Sequence, residues 1–387
     1  MKILENKKIA IVGGGPGGLT LARLLQIKGA NVKVYERDLN KDVRVQGATL
    51  DLHEESGLEA LRQAGLIEAF YTNYRPGAGA LRIVDRHGII KMDTHEDIDE
   101  HRPEIDRGPL RNILLESLKP ETIVWDSQFI SMIPDGHGWT LIFKNGTTVD
   151  ADIVIAADGA NSKIRSYITP IKPFYTGITI VEGAVYNSEN ASPKVHELLK
   201  GGKIFAFGDD QSLIVSSKGD GSLAFYTGSK TSEEWIKKSG IDFNNKAEVT
   251  AWFKKEFAGW DTVWTELFEN AEPCFALRPQ YCMPLDQNWK ALPNLTMIGD
   301  AAHLMPPYAG EGVNMAMQDA LELSICLTNG EFEDVNSAIA SFEKQMCTRA
   351  AEAAQMTLNN TEMMHSGDPI TTLIDMFTDF ETQHNQS

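Results

Sequence analysis

The sequence predicts an α/β fold: a Rossmann-like domain, interrupted by an antiparallel-sheet domain and closed by long C-terminal helices. Three observations predict it. KKIAIVG, GLTLARLLQIKGA and NVKVYERD run strand, helix, strand around a glycine turn over residues 7–36, the size and order of a βαβ unit. Residues 173–230 change to short alternating strands punctuated by Gly, Asp and Asn, the pattern of an antiparallel sheet. LTMIGD at 295–300 then returns to the apolar, glycine-terminated style of the first segment, so the chain crosses back.

The elements follow in order. After the βαβ unit, GATLDLHEESGLEALRQAGL is a loop leading into an amphipathic helix that stops at Gly65. LRIVD and GIIKMD form a strand pair joined by a turn at Arg86, His87 and Gly88. A helix over 109–118 precedes the short strands IVWD, QFISMI, GWTLIFKNGTTV and DIVIAAD, which complete the core of the first domain. In the second domain, ITIVEGAVY, KIFAFG, SLIVSS and SLAFYTG are the strands, with helices near 231–268. Long helices over 312–328 and 333–360 follow, and ITTLIDMFTDF forms a last amphipathic helix that packs against both domains. The expected domains are 1–73, 103–172 and 271–360 for the dinucleotide unit, 74–102 and 173–270 for the substrate unit, and 361–387 for the bridging C-terminal helix.

Composition narrows the function classes. The 387 residues carry 36 Lys and Arg against 54 Asp and Glu, a formal charge of −18, with no basic run; nucleic acid is not an expected partner. The N-terminal MKILENKKIAIVGGG lacks a signal-peptide core, and no apolar stretch is long enough to span a membrane. Cys274, Cys282, Cys326 and Cys347 lack CxxC spacing and read as reduced thiols, with no metal site. A cytoplasmic monomer is the expectation.

Gly13, Gly15 and Gly18 form GxGxxG between strand and helix. Such a turn needs a tight bend, a backbone without Cβ near a pyrophosphate and close helix–strand packing, and the helix N-terminus offers free N–H groups to phosphate. Glu36, 18 residues beyond Gly18 at the end of the second strand, is placed to accept both hydroxyls of an adenosine ribose. A dinucleotide is therefore expected, and either an NAD dehydrogenase or a flavoprotein would use it.

Two later motifs select between them. DIVIAADGANSKIR puts Asp158 after an apolar strand, with a short helix ending at Arg165; LTMIGDAAHLMPPYAGEGVNMAMQDALEL puts Asp300 after a strand, then Pro307, then Gly310, Gly312, Val313 and Asn314 opening a long helix. A helix N-terminus there favours the negative charge of a reduced flavin. With GGGPGG, ADG, GDAAH and GEGVN in order, the chain resembles the class A flavin monooxygenases, which include the aromatic-ring hydroxylases. The resemblance implies the GR2-type flavoprotein hydroxylase fold, non-covalent FAD, and NADPH as a transient co-substrate. It implies FAD contacts for Arg37, Asp51, Arg107 and Asp300 and an NADPH contact for Arg44. Arg111 is either a second contact or a solvated face residue. His303 and Met305 read as loop packing, and Glu311 stands where many relatives carry Gln.

Within that class, GATLDLHEESG, RPEIDRGPLRNILLESL and MIGDAAHLMPPYAGEGVN are similar to the tetracycline-inactivating monooxygenases. The resemblance places Glu182, Lys203, Ile214 and Ala224 at substrate positions, where the subfamily uses Gln, Arg, Phe and His. Each change alters polar recognition; the alternative for Lys203 and Glu182 is a solvated strand face. The implied reaction has NADPH reduce the flavin, O₂ add at C4a, and the distal oxygen pass to an enol or phenolate carbon, with no catalytic base assigned to the protein. Hydroxylation of another phenolic or polyketide-like ring is the alternative, and a non-catalytic drug-binding flavoprotein a further one.

Overall fold

The structure, a computed structural model, describes residues 2–42, 49–96, 101–272 and 275–384. A five-stranded parallel sheet runs in the order Leu295–Met297, Ile153–Ala156, Lys8–Val12, Asn31–Tyr35, Ile123–Val124. Apolar runs suit these strands because a parallel sheet is covered on both faces; every residue of Ile153–Ala156 is buried. The helix Pro16–Ile27 makes the crossover between the first two strands. It packs against Gly312–Thr328 so closely that a Cβ on Gly17 would lie 2.8 Å from the Ala316 carbonyl oxygen.

Not every strand of the first domain enters this sheet. Phe129–Asp135, Gly138–Phe143 and Thr148–Ala151 form a separate antiparallel meander. Turns at Gly136 and Gly146, both with positive φ, fold these strands back onto one another. The short helix expected to end at Arg165 instead begins there, spanning Arg165–Ile168, and the Arg165 side chain turns inward to backbone carbonyls.

The second sheet has seven strands, ordered Ala276–Cys282, Phe174–Val185, Leu223–Lys230, Gln211–Ser217, Lys203–Gly208, Leu81–Asp85, Ile90–Asp93. It is antiparallel except where Lys203–Gly208 lies parallel to Leu81–Asp85. The hairpin 81–93 comes from an earlier stretch of chain, and its free edge extends the sheet at the strand it meets. One face packs Val181, Ile204, Val215 and Phe225 onto Trp252 and Phe268 of the flanking helices. The opposite face carries Ile83, Ile180 and Phe207, packed against Tyr308, Met364 of the long helix Val335–Met364, and Leu373. Leu373 belongs to the last helix, Pro369–His384, which docks on this sheet beside the end of the long helix. No helix among the described residues is long and apolar enough to cross a membrane.

Candidate cofactor and substrate site

The glycine turn is built as its spacing requires. Gly13 has φ +116° and a Cβ there would meet the Ala157 carbonyl oxygen at 2.1 Å, while a Cβ on Gly18 would meet that of Gly13 at 2.2 Å. Around Gly15 nothing lies within 4 Å, and as the N-cap of Pro16–Ile27 it makes no side-chain cap bond. Gly13 and Gly18 serve packing of strand on helix; Gly15 presents open backbone to a ligand. Glu36 is buried at 3% exposure. Its Oε2 accepts from the Gly14 N–H at 2.6 Å and its Oε1 from the Asp38 N–H at 3.0 Å, so it ties the loop to the second strand. Arg37 is exposed beside it, and Arg44 lies outside the described residues.

Arg111 is not a solvated face residue. It is buried, donates to the Lys41 carbonyl at 3.1 Å and to Asp38 at 3.2 Å, and lies over the Trp125 ring at 5.5 Å. It braces the loop that follows Glu36.

Asp300 opens a short helix, Asp300–His303. Its carboxylate is open to solvent in a recess otherwise walled by protein, and among the described residues no hydrogen bond satisfies it. That confinement raises its pKa, with the charges of His303, Arg107 and Arg165 acting in the opposite direction. Arg107 stands exposed at the start of the helix Arg107–Glu116. Arg165, buried, donates to the carbonyls of Asp300 and Ala301, both at 2.7 Å. Asp158 accepts from the Lys163 N–H at 2.9 Å and so closes the loop leading to Arg165.

The loop of Pro307 and Gly310 ends at Gly312–Thr328. Gly310, with φ +71°, turns back on the Pro307 carbonyl at 3.0 Å. A Cβ at Gly312 would meet nothing within 4 Å, and the helix has no side-chain cap. As the first N–H groups of an α-helix, those of Gly312 to Asn314 have no partner within the helix. Asn314 is committed differently: its side chain donates to the Asp51 carbonyl at 3.0 Å and accepts from the His53 N–H at 2.9 Å. Burial pushes the Asp51 carboxyl up, but a hydrogen bond from His53 and the charges of Lys203 and His53 outweigh it, leaving it below its ordinary value.

Behind these loops lies a buried network that local sequence does not announce. Asp319 accepts from the Gly299 N–H at 2.8 Å, His303 Nε2 at 2.5 Å and Arg349 at 2.7 Å. Burial depresses the His303 imidazole, but the Asp319 carboxylate more than offsets this and holds it above its ordinary value. Met305 packs against Met315, Ala350 and Ala353. Both are loop-packing residues.

Glu182, Lys203, Ile214 and Ala224 share one face of the seven-stranded sheet. Lys203 pairs across strands with Ser216, Ser216 with Ala224 and Ala224 with Ala184; in the adjacent row Phe205 pairs with Ile214, Ile214 with Tyr226 and Tyr226 with Glu182. Alternation of side chains puts both rows on the face opposite Trp252 and Phe268, the face on which Tyr308, Met364 and Leu373 pack. Neither charge is a free solvated one: Lys203 is ion-paired to buried Glu104, and Glu182 to Arg278. Burial raises the Glu104 carboxyl, with the Lys203 charge opposing and Asp51 reinforcing. Ser216, Phe205 and Tyr226 were not singled out from sequence, although their register with the four chosen positions is the signal that finds them.

A family model described as FAD binding domain matches residues 6–357. The chain is 29% identical to the monooxygenase asqM of Emericella nidulans, over 91% of this chain and 94% of that one. It is 27% identical to 6-hydroxynicotinate 3-monooxygenase of Pseudomonas fluorescens, over 94% of each. The tetracycline destructase Tet(55) superposes with a TM-score of 0.73 at 19% identity, covering 92% of this chain and 89% of that one, a likeness of fold.

Proposed function

The chain belongs to the FAD binding domain family, and from that premise we propose that it is an FAD-dependent monooxygenase. It uses NADPH and O₂ to hydroxylate a tetracycline-type antibiotic. The supporting observation is a set of unfilled donors and acceptors that fits FAD along its length: open backbone at Gly15, the unsatisfied carboxylate of Asp300 and the uncapped helix end at Gly312. In this reading residues 1–73, 103–172 and 271–360 form the cofactor domain, except that the strand Ala276–Cys282 lies in the sheet of the substrate domain, with 74–102 and 173–270 the rest of that domain and 361–387 the bridge.

Bound FAD supplies the redox chemistry and the activation of oxygen. The protein's residues orient and shield. The helix end at Gly15 holds the pyrophosphate and Glu36 accepts the adenosine ribose hydroxyls, with Arg37 and Asp51 toward the adenosine and flavin ends. Asp300 accepts a ribityl hydroxyl and Arg107 sits against the ribityl-phosphate region. N–H groups of Gly312, Val313 and Asn314, shaped by Pro307 and Gly310, favour negative charge on the ring. Arg44 is assigned to NADPH. Ile214 and Ala224 floor the substrate space, and Glu182 and Lys203 stand at its edges.

The test is NADPH oxidation by FAD-loaded protein with and without a tetracycline, with mass spectrometry of the drug. A gain of one oxygen supports the reading; NADPH turnover with unaltered drug removes the substrate and keeps the class. The pairing of Lys203 and Glu182 within the protein favours a second reading, a smaller phenolic or polyketide-like ring that needs no charged partner.

A further inference from the structure

Beside Asp51, His53 and Glu311 complete a cluster whose charges the orientation of FAD leaves unexplained. The His53 side chain is 3% exposed and lies between two carboxylates, its Nε2 3.1 Å from Asp51 and its Nδ1 3.7 Å from Glu311. Asn314 fixes the backbone of Asp51 and His53 from the first turn of Gly312–Thr328. Glu311 is the N-cap residue of that helix, yet its side chain makes no cap bond and is directed to His53.

A helix N-terminus carries roughly half a positive charge. A bare carboxylate at its cap cancels the preference for an anion that the open N–H groups otherwise give; an imidazolium beside that carboxylate restores it. The other charges facing the cluster are Arg102 and Glu55 toward Glu311, and Lys203 toward Asp51.

We propose that His53 is a positioning residue that stands between the carboxylates of Asp51 and Glu311, one ring nitrogen toward each, and thereby sets the charge that the helix end at Gly312 presents to a reduced flavin. The inference rests on reading the cleft as an FAD site. Without the imidazole, two carboxylates face the cofactor's negative ring and oxidised flavin is favoured. Without the Glu311 charge, the helix end acts alone and reduced flavin is favoured.

The experiment measures the ratio of reduced to oxidised flavin in FAD-loaded protein, equilibrated anaerobically with a reference dye across a range of pH. Wild type is compared with His53→Gln and Glu311→Gln, after FAD affinity has been measured by fluorescence quenching. His53→Gln is expected to lower the ratio about three- to tenfold and Glu311→Gln to raise it by a similar factor. A general loosening of the loop would move both variants the same way. Shifts in one direction, or ratios within about twofold of wild type, overturn the inference while FAD binding leaves the proposed function standing. Failure of wild type to bind FAD overturns both.

Discussion

Gly15 and Gly18 stand three residues apart, yet substitution of each has a different consequence. A Cβ at Gly18 meets the Gly13 backbone at 2.2 Å, whereas one at Gly15 meets nothing. Gly18→Ala is expected to destabilise the FAD-free protein by about 1–3 kcal/mol, read by urea unfolding. Gly15→Ala should leave that stability within about 0.5 kcal/mol and weaken FAD binding in a fluorescence titration. Lys203 gives a second case. Lys203→Met leaves Glu104 buried without its cation, at a cost of about 3 kcal/mol near neutral pH. Because the folded-state Glu104 carboxyl is already raised by burial, the native state binds the extra proton, and stability falls as pH rises from the ordinary glutamate range through the folded value. The deficit should therefore be larger at pH 8 than at pH 5. The glycines were legible because a turn's demands are local; the roles of Arg111 and Glu104 were not, because their partners lie 73 and 99 positions away.

Between elements, Asp319 joins the helix Gly312–Thr328 to the loop at Gly299 and to the long helix through Arg349. Asp319→Asn should cost about 3–5 kcal/mol. The pH profile carries a sign from each partner. Asp319 is held below its ordinary value because His303 and Arg349 outweigh burial, so its contribution is present above the ordinary aspartate range and lost as pH falls through the folded value. The raised His303 contributes below the ordinary histidine range and loses that contribution as pH rises through its folded value. Wild type should thus be most advantaged over Asp319→Asn at mildly acidic pH, a window that disappears in the variant. Periodicity found the strands themselves, since alternation and apolar runs record burial directly. It did not reveal that Lys203–Gly208 lies parallel to Leu81–Asp85, or that the strands between 129 and 151 leave the parallel sheet. Pairing partners far apart in sequence leave no mark on either strand's pattern.

Across the whole molecule, charge and topology both bear on what the cleft admits. The chain carries −18 overall, and the charged side chains at the substrate face are matched within the protein. Aromatic acids should therefore bind at least about fivefold more weakly than uncharged rings of the same size, with the gap narrowing as salt is added. A titration of naphthol against naphthoate, followed by the flavin spectrum, checks this; equal affinities would contradict it. The parallel sheet places Lys8–Val12 two strands from Leu295–Met297, and the glycine turn beside a helix that ends at Thr328. A ribosome adds residues at roughly 5–20 per second, so the first half of the cradle waits many seconds for its second half. Until residue 328 has emerged, the glycine turn lacks the helix Gly312–Thr328 packed beside it, and the nascent chain holds only part of the cradle.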